Sequence, residues 1–373
     1  MNSVRILHCA DLHIGAECSF LGNRSRTRRA EVKKTFHRIL SLCREEKIEL
    51  LLIAGDLFDD VDVPSETLGE IRDAFADLPE CKIVIAAGNH DAATPDSSYL
   101  LEDFWPENVI LFTSQTECKI LEELGVCLVG AGFTGTYCYQ SMLRKLPALD
   151  DTWINIGVMH GDPVSDNARS DYNAVTQRMI QASGLDYLAL GHIHKRTDVL
   201  KAGKTYFAYP GCPEGQGFDE TGDKGIYIGT VGKGYCNLKY RSVCKRRVTE
   251  LTVDVTAVQG KKEMIELLRY RMQEENAEEY QEHIYCLTLI GEPKDDLCRD
   301  TEDIRAELED IWYLKLKNKT RPRINPEELV QENSLRGIYV KRMTQLKGTV
   351  LEEQRELALR FGLRAFSGEI NIE

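Results

Sequence analysis

Leu50-Leu-Leu-Ile-Ala-Gly-Asp-Leu-Phe-Asp59 decides the fold: a run of large apolar residues, a small-residue turn, and carboxylates beyond it. An apolar run this short, bounded by a turn, reads as a strand buried on both faces. The phrase recurs four times. Ile6-Leu7 leads to Asp11-Leu-His13, and Ile85-Ala-Ala-Gly88 leads to Asn89-His90-Asp91. Val158-Met159 ends in His160-Gly161, and Ala189-Leu190-Gly191 ends in His192-Ile-His194. Buried strands alternating with helices indicate a layered α/β fold. In such a fold, polar clusters at the carboxyl ends of strands converge across long sequence separations.

Working outward, apolar β-rich runs lie at 4–7, 50–54, 82–87, 126–129, 154–159 and 187–190. Helical stretches fall at 28–46 and 65–78, the second opening on Pro64 and Ser65. From 204 to 247 the texture changes to closely spaced β runs broken by glycine, which read as hairpins closing a first domain, 1–247. Beyond it, strand-like runs at 249–255, 284–290 and 311–316 alternate with helical ones at 261–273 and 301–310. They predict a small α+β domain over 248–324. Asn325-Pro-Glu-Glu328 carries the signals of a helix start, and 325–373 is expected to be helical, with breaks at Gly337, Gly348 and Gly362.

A length of 373 residues favours two or three domains, and 42% apolar with 29% charged residues is the balance of a soluble globular enzyme. No stretch approaches the roughly 20 apolar residues of a spanning helix, and the first residues lack the pattern of a secretory signal. Twelve cysteines without a C-x-x-C pair argue against a zinc ribbon or a disulfide-stapled scaffold. These features predict a cytoplasmic protein with no membrane partner. The formal charge of −13 decides little about nucleic acid, because distribution matters more than the sum and a metal site adds uncounted positive charge.

The five polar clusters share one chemistry. Asp, Asn and neutral His form an oxygen and nitrogen ligand set suited to Mn²⁺, Fe or Zn²⁺. Asp11, His13, Asp56, Asn89, His160, His192 and His194 are seven such groups, and seven hold two ions only if one carboxylate is shared. Asp56, on a central strand, is the natural bridge. Two ions about 3.5–4 Å apart clamp a phosphate and generate hydroxide at neutral pH, which attacks a phosphodiester in line. A lone D-x-H or G-D after a strand is more often a capped turn. G-N-H-D and G-H-x-H are stronger, and all five in this order are far more specific than any one.

The set DLH, GDLFD, GNHD, MHG and GHIH resembles the calcineurin-like metallophosphoesterases. GDLFD with GHIHKRT, followed by Tyr209-Pro-Gly-Cys-Pro-Glu-Gly-Gln-Gly-Phe-Asp-Glu-Thr-Gly-Asp-Lys-Gly225, is similar to the SbcD-type DNA-repair exonucleases, in their YhaO-like bacterial branch. The resemblance covers most of 4–247, and the remainder only in domain order. It implies a layered β-sandwich flanked by helices, a capping domain and C-terminal helices. It also implies that Asp11, His13, Asp56 and His194 hold one ion, and Asp56, Asn89, His160 and His192 the other. His90 would be no ligand but a proton donor or phosphate stabiliser, oriented by the Asp91 carboxylate. Asp59 stands where archaeal and eukaryotic relatives often carry histidine, which puts a phosphate-contacting role there in doubt. The implied activity is a Mn²⁺-dependent 3′→5′ exonuclease and endonuclease acting at DNA ends in double-strand-break repair.

Two basic tracts bear on the substrate. Arg24, Arg26, Arg28 and Arg29 directly follow the first cluster and are expected to grip backbone phosphates; the bland alternative is a solvated helix start. Lys315, Lys317, Lys319, Arg321 and Arg323 alternate, so on a continuing strand they share one face, facing DNA or guarding a sheet edge. The resemblance places a coiled-coil ATPase partner on the C-terminal helices and implies a homodimer. His8, His37 and His283 read as structural. A phosphodiesterase or phosphatase for small nucleotides is the competing enzyme class, and a silent scaffold is excluded by the complete ligand set.

Overall fold

A computed structural model of the chain describes residues 3–293, 301–321, 329–348 and 351–366. Each of the six apolar runs of the first 200 residues is a strand: β1 Ser3–Cys9, β2 Leu50–Ile53, β3 Lys82–Ala86, β6 Val126–Gly130, β7 Ile154–His160 and β8 Tyr187–Gly191. Between them lie β4 Val109–Phe112 and β5 Glu117–Leu121. After them come β9 Leu200–Ala202, β10 Thr205–Ala208, β11 Gly225–Gly232 and β12 Tyr235–Ser242, the last two an antiparallel hairpin.

These strands form two mixed sheets of six. One has the order β12-β11-β1-β2-β3-β4, the other β5-β6-β7-β8-β10-β9. In the first, β1 to β4 run parallel, with Leu7 opposite Leu51 and Ile53 opposite Ile85. In the second, β6, β7, β8 and β10 run parallel.

Alternation along the strands sorts side chains into layers. Ile6, Leu52 and Val84 of the first sheet pack with Leu128, Ile156 and Ala189 of the second in one buried cluster, the filling of a sandwich. Leu7, Ile53 and Ile85 point the other way, onto α1 (Ser25–Glu45) and α2 (Ser65–Ala76). Val129, Met159 and Leu190 do the same toward α3 (Gln177–Ala182). The layers are therefore helix, sheet, sheet, helix. Because both faces of β2 are covered, every one of its residues is fully buried, which is why Leu50-Leu-Leu-Ile53 shows no polar alternation. His8, on the inner face of β1, bonds through Nδ1 to the Tyr187 hydroxyl of the second sheet at 2.8 Å.

The described residues fall into two compact units. The first runs through Glu250 and takes in Gln281–Cys286 and Ile311–Tyr313; the second comprises Leu251–Tyr280, Leu287–Asp310 and the chain from Leu314. Strands β13 Val248–Asp254, β14 Ile284–Ile290 and β15 Tyr313–Asn318 form a three-stranded sheet in that order. The second unit also holds α4 Lys261–Asn276, α5 Thr301–Ala306, α6 Leu335–Gln345 and α7 Glu352–Phe366. The helix expected over 301–310 stops at Ala306, where turns take over. Leu329, Val340, Leu359 and Leu363 make a small core of their own. Arg323 and the helix-start signal at 325–328 lie outside the described residues. Among the described residues no helix is long and apolar enough to cross a membrane.

Candidate metal centre

The five polar clusters meet at one end of the sandwich, three from the first sheet and two from the second. Past β1 and β2 the chain ends stay laced together: Asp11 N–H donates to the Gly55 carbonyl at 3.1 Å, and His13 N–H to that of Asp56 at 3.0 Å. Lacing them so tightly forces Asp11, His13 and Asp56 to φ values of 53°, 46° and 50°, with His192 at 100°. Left-handed backbone at non-glycine residues is strained and gathers at functional sites. Here it accounts for four of the seven expected ligands. Gly55 and Gly88 lie so close to the site that a Cβ would strike the His160 ring or the Asp56 carboxylate.

Asp11, His13, Asp56 and His160 are buried, while Asn89, His192 and His194 are half-buried. Their free atoms converge. Asp56 Oδ2 lies 3.3 Å from His160 Nε2 and 3.6 Å from His13 Nε2. On one side of it, His13 Nε2 and His194 Nε2 are 3.2 Å apart. On the other, Asn89 Oδ1 lies 3.0 Å from His160 Nε2 and 3.1 Å from His192 Nδ1. Asp11 spans both, accepting the His192 N–H at 2.9 Å.

The outward nitrogens are tied down. His160 Nδ1 bonds to the Ala54 carbonyl at 2.9 Å, His13 Nδ1 to Asp59 Oδ1 at 3.0 Å, and His194 Nδ1 to the Glu220 carboxylate. Fixing Nδ1 leaves Nε2 lone pairs aimed at one small volume, which is how metal-ligating histidines are held.

Electrostatics agrees with that fit. Burial pushes the Asp11 carboxyl up against the pull of His160 and His194. Burial also raises Asp56, but His160, His13 and the His90 N–H outweigh it and hold that carboxyl below the usual range. Burial opposes charging of His160, yet Asp56 and Asp11 raise it to about 9. His192, buried and beside His160, is lowered to about 4. Buried carboxylates thus draw protons onto imidazoles, and a divalent cation would compete for the same places. Asp11, His13 and His194 can offer ligand atoms to one ion, as can Asp11, Asp56 and His160.

His90 sits at the mouth, exposed, with Nδ1 on the Asp59 carbonyl at 3.0 Å and its ring edge-on to His13 at 4.7 Å. A carbonyl only accepts, so Nδ1 carries a proton, and a ring nitrogen of His90 lies within 4.8 Å of ligand atoms of His13 and Asp56. The expected partnership with Asp91 does not form. The Asp91 carboxylate is buried and accepts from Gly88 N–H at 2.7 Å, Phe58 N–H at 3.1 Å and the Tyr99 hydroxyl at 2.6 Å. It shapes the loop that carries Asn89, and Asp59 does the orienting.

Arg28 also departs from expectation. It is fully buried, with Nη2 2.7 Å from Glu214 and Nη1 3.5 Å from Glu31, so it cannot meet a phosphate backbone. Arg24, Arg26 and Arg29 are exposed; Arg24 lies over the Trp312 ring and Arg29 donates to the Glu17 carbonyl. Lys315, Lys319 and Arg321 are exposed and Lys317 half-buried; β15 ends at Asn318, but Lys319 and Arg321 N–H groups still bond to Leu289 and Gly291. His37 pairs with Glu70, and buried His283 accepts the Arg247 N–H. Glu220 and Tyr99 escaped sequence reasoning, because neither follows an apolar run.

Residues 4–196 match the calcineurin-like phosphoesterase family, and the chain belongs to it. It is a metallophosphoesterase of a family that binds two metal ions. Among its relatives, "Uncharacterized metallophosphoesterase YhaO" of Bacillus subtilis is 29% identical over 69% of this chain and 64% of that protein. One of the subunits of the nuclease SbcCD of Bacillus subtilis is 27% identical over 59% of this chain and 64% of that one. "DNA double-strand break repair protein Mre11" of Methanopyrus kandleri is 25% identical over 59% and 51%. The chain therefore spans less than two thirds of the length of these relatives. The crystal structure of TT1561 of Thermus thermophilus aligns with TM-score 0.41 at 10% identity, over 64% of this chain and 99% of that one.

Proposed function

We propose that the chain is a two-metal-dependent DNA nuclease, cleaving phosphodiesters at DNA ends. Asp56 Oδ2, set between the Nε2 atoms of His13 and His160, carries the hydrolytic part of the reading: it is a buried carboxylate oxygen placed to serve both halves of the ligand set. Asp11, His13, Asp56 and His194 would hold one ion, and Asp56, Asn89, His160 and His192 the other. That donor set suits Mn²⁺, Fe or Zn²⁺, and the likeness to the nucleases favours Mn²⁺. When bound, the pair supplies Lewis acidity toward a phosphate and activates water at neutral pH. His90, held through Nδ1, would in its doubly protonated form give the Nε2 proton to the leaving oxygen and remain as the neutral Nδ1–H ring. The DNA substrate is supported by the nuclease relatives and by exposed Arg24, Arg26, Arg29, Lys315, Lys319 and Arg321.

The architecture proposed with this function has a catalytic domain, 1–247, a capping domain, 248–324, and a docking segment, 325–373, for a coiled-coil ATPase. Exposed Leu335, Ile338, Leu357 and Phe361 support the docking role. A homodimer and a cytoplasmic setting complete the proposal.

The test is hydrolysis of linear duplex DNA and of bis-p-nitrophenyl phosphate with Mn²⁺. Both are cut by the wild type, and His90→Ala slows DNA cleavage by about 10²–10⁴-fold while bound metal is retained. Hydrolysis of the small diester alone, even with an ATPase partner added, would assign the centre to small nucleotides instead.

A further inference from the structure

One aromatic surface leads straight out of the candidate centre. The His192 ring lies 5.0 Å from that of Tyr172, tilted by 31°, and Tyr172 lies 5.7 Å from Tyr137. Tyr137 in turn is stacked near-parallel on Tyr139, at 6.0 Å and 21°. The series begins at a half-buried expected ligand and ends on rings that are 54% (Tyr137) and 70% (Tyr139) exposed. Apolar ring area of this kind gains by being covered, and among the described residues of the first unit nothing covers it.

The segment is also held in place. Cys138 N–H donates to the Asp171 carbonyl and Asn173 N–H to that of Cys138, both at 2.7 Å, so the two loops pair on either side of Tyr172. Buried Asn173 then ties them to the centre: its Nδ2 donates to the His160 carbonyl at 2.6 Å, and its Oδ1 accepts the Met142 N–H at 2.8 Å. A loop fixed to an expected ligand's own backbone presents its rings at a set distance from the reacting phosphate.

We infer that Tyr137 and Tyr139 are a stacking platform for unpaired nucleobases of a single strand whose phosphate lies at the metal centre. The platform rests on the nuclease reading above. Every base has a π-face, so stacking gives grip on a strand without reading its sequence, where the arginines supply grip on phosphates. A strand entering this way is single, since bases inside a duplex have both faces covered by neighbouring pairs.

The test compares a short oligothymidylate with an abasic oligonucleotide of the same length, using the full chain in EDTA so that nothing is cut. Fluorescence anisotropy should show the base-bearing strand bound about tenfold more tightly than the abasic one. Tyr139→Ala and Tyr137→Ala should remove that preference, and Tyr139→Trp should keep it. A 2-aminopurine base should be quenched by the wild type and by Tyr139→Trp but not by Tyr139→Ala. Equal affinity of the wild type for both strands, or an equal loss on both in the alanine variants, overturns the platform while leaving the nuclease reading intact. Binding of neither strand, with DNA left uncut in Mn²⁺, overturns the nuclease reading instead.

Discussion

The floor and the rim of the candidate centre are built in opposite ways. On the floor, Asp11, Asp56 and His160 are buried, and nearly every polar atom not aimed at the centre is tied to backbone. Around the rim, Tyr137 and Tyr139 are open to solvent and lie on loops. A ligand set needs a rigid low-dielectric shell, because charge placed there interacts strongly and must not wander. A substrate grip needs accessible faces. The division predicts that substitutions on the floor remove chemistry from every substrate alike, whereas substitutions on the rim change which substrate is used.

The sharpest way to break that comparison is Asp56→Ala. Loss of the shared carboxylate should lower hydrolysis of bis-p-nitrophenyl phosphate and of DNA together by roughly 10³-fold or more. Metal analysis should fall below two ions per chain; full metal content with full activity would place the centre elsewhere. Next in size is Arg28→Ala, which leaves the buried Glu214 carboxylate without its guanidinium and should destabilise the first unit by about 3–5 kcal/mol in urea denaturation. Its folded fraction should bind DNA with an unchanged salt dependence, whereas Arg26→Ala should flatten it.

Arg28 and Glu220 also show what was legible in the chain and what was not. The six internal strands were plain because burial on both faces leaves a mainly apolar run, and the polar ends of five of them marked the seven expected ligands. Strand β5, Glu117–Leu121, was invisible because it is an edge strand with three of its five residues exposed. Arg28 was counted with its exposed neighbours because its partner Glu214 is far away in the chain, and local charge says nothing about such a pairing. Glu220 lies among glycines and acids that signal only a loop, so its bond to His194 is visible only in three dimensions. Tyr137 and Tyr139 carry no periodic signal either; their meaning comes from Tyr172, which the fold brings beside them.

Glu220→Gln sharpens the same contrast from behind the floor. Weakening the carboxylate on His194 Nδ1 should reduce metal affinity by about 10–100-fold, read by competition with a chelator, with little change in the rate of the loaded enzyme. The smallest effect expected concerns pH. Burial lowers the imidazole of His8 from 6.5 to about 3, so the folded state holds it neutral. A depressed folded value means that this contribution to stability is complete above pH 6.5 and is lost as pH falls toward 3. From pH 7 to pH 5 the wild type should therefore lose about 2 kcal/mol more stability than His8→Gln. Parallel losses would show that His8 takes up its proton in the fold as readily as in the unfolded chain.

The joining of two sheets at the centre has a further consequence. Asp11 and His192 are separated by 181 residues and come from opposite leaves of the sandwich. Ions shared between them would act as rivets through the molecule, closing a long loop as a disulfide does but reversibly. Because loop-closure entropy grows with the length enclosed, and because bound metal favours only the folded chain, the thermal midpoint should climb with free Mn²⁺. The catalytic ions and the mechanical integrity of the sandwich would then be one and the same asset, withdrawn together by a chelator.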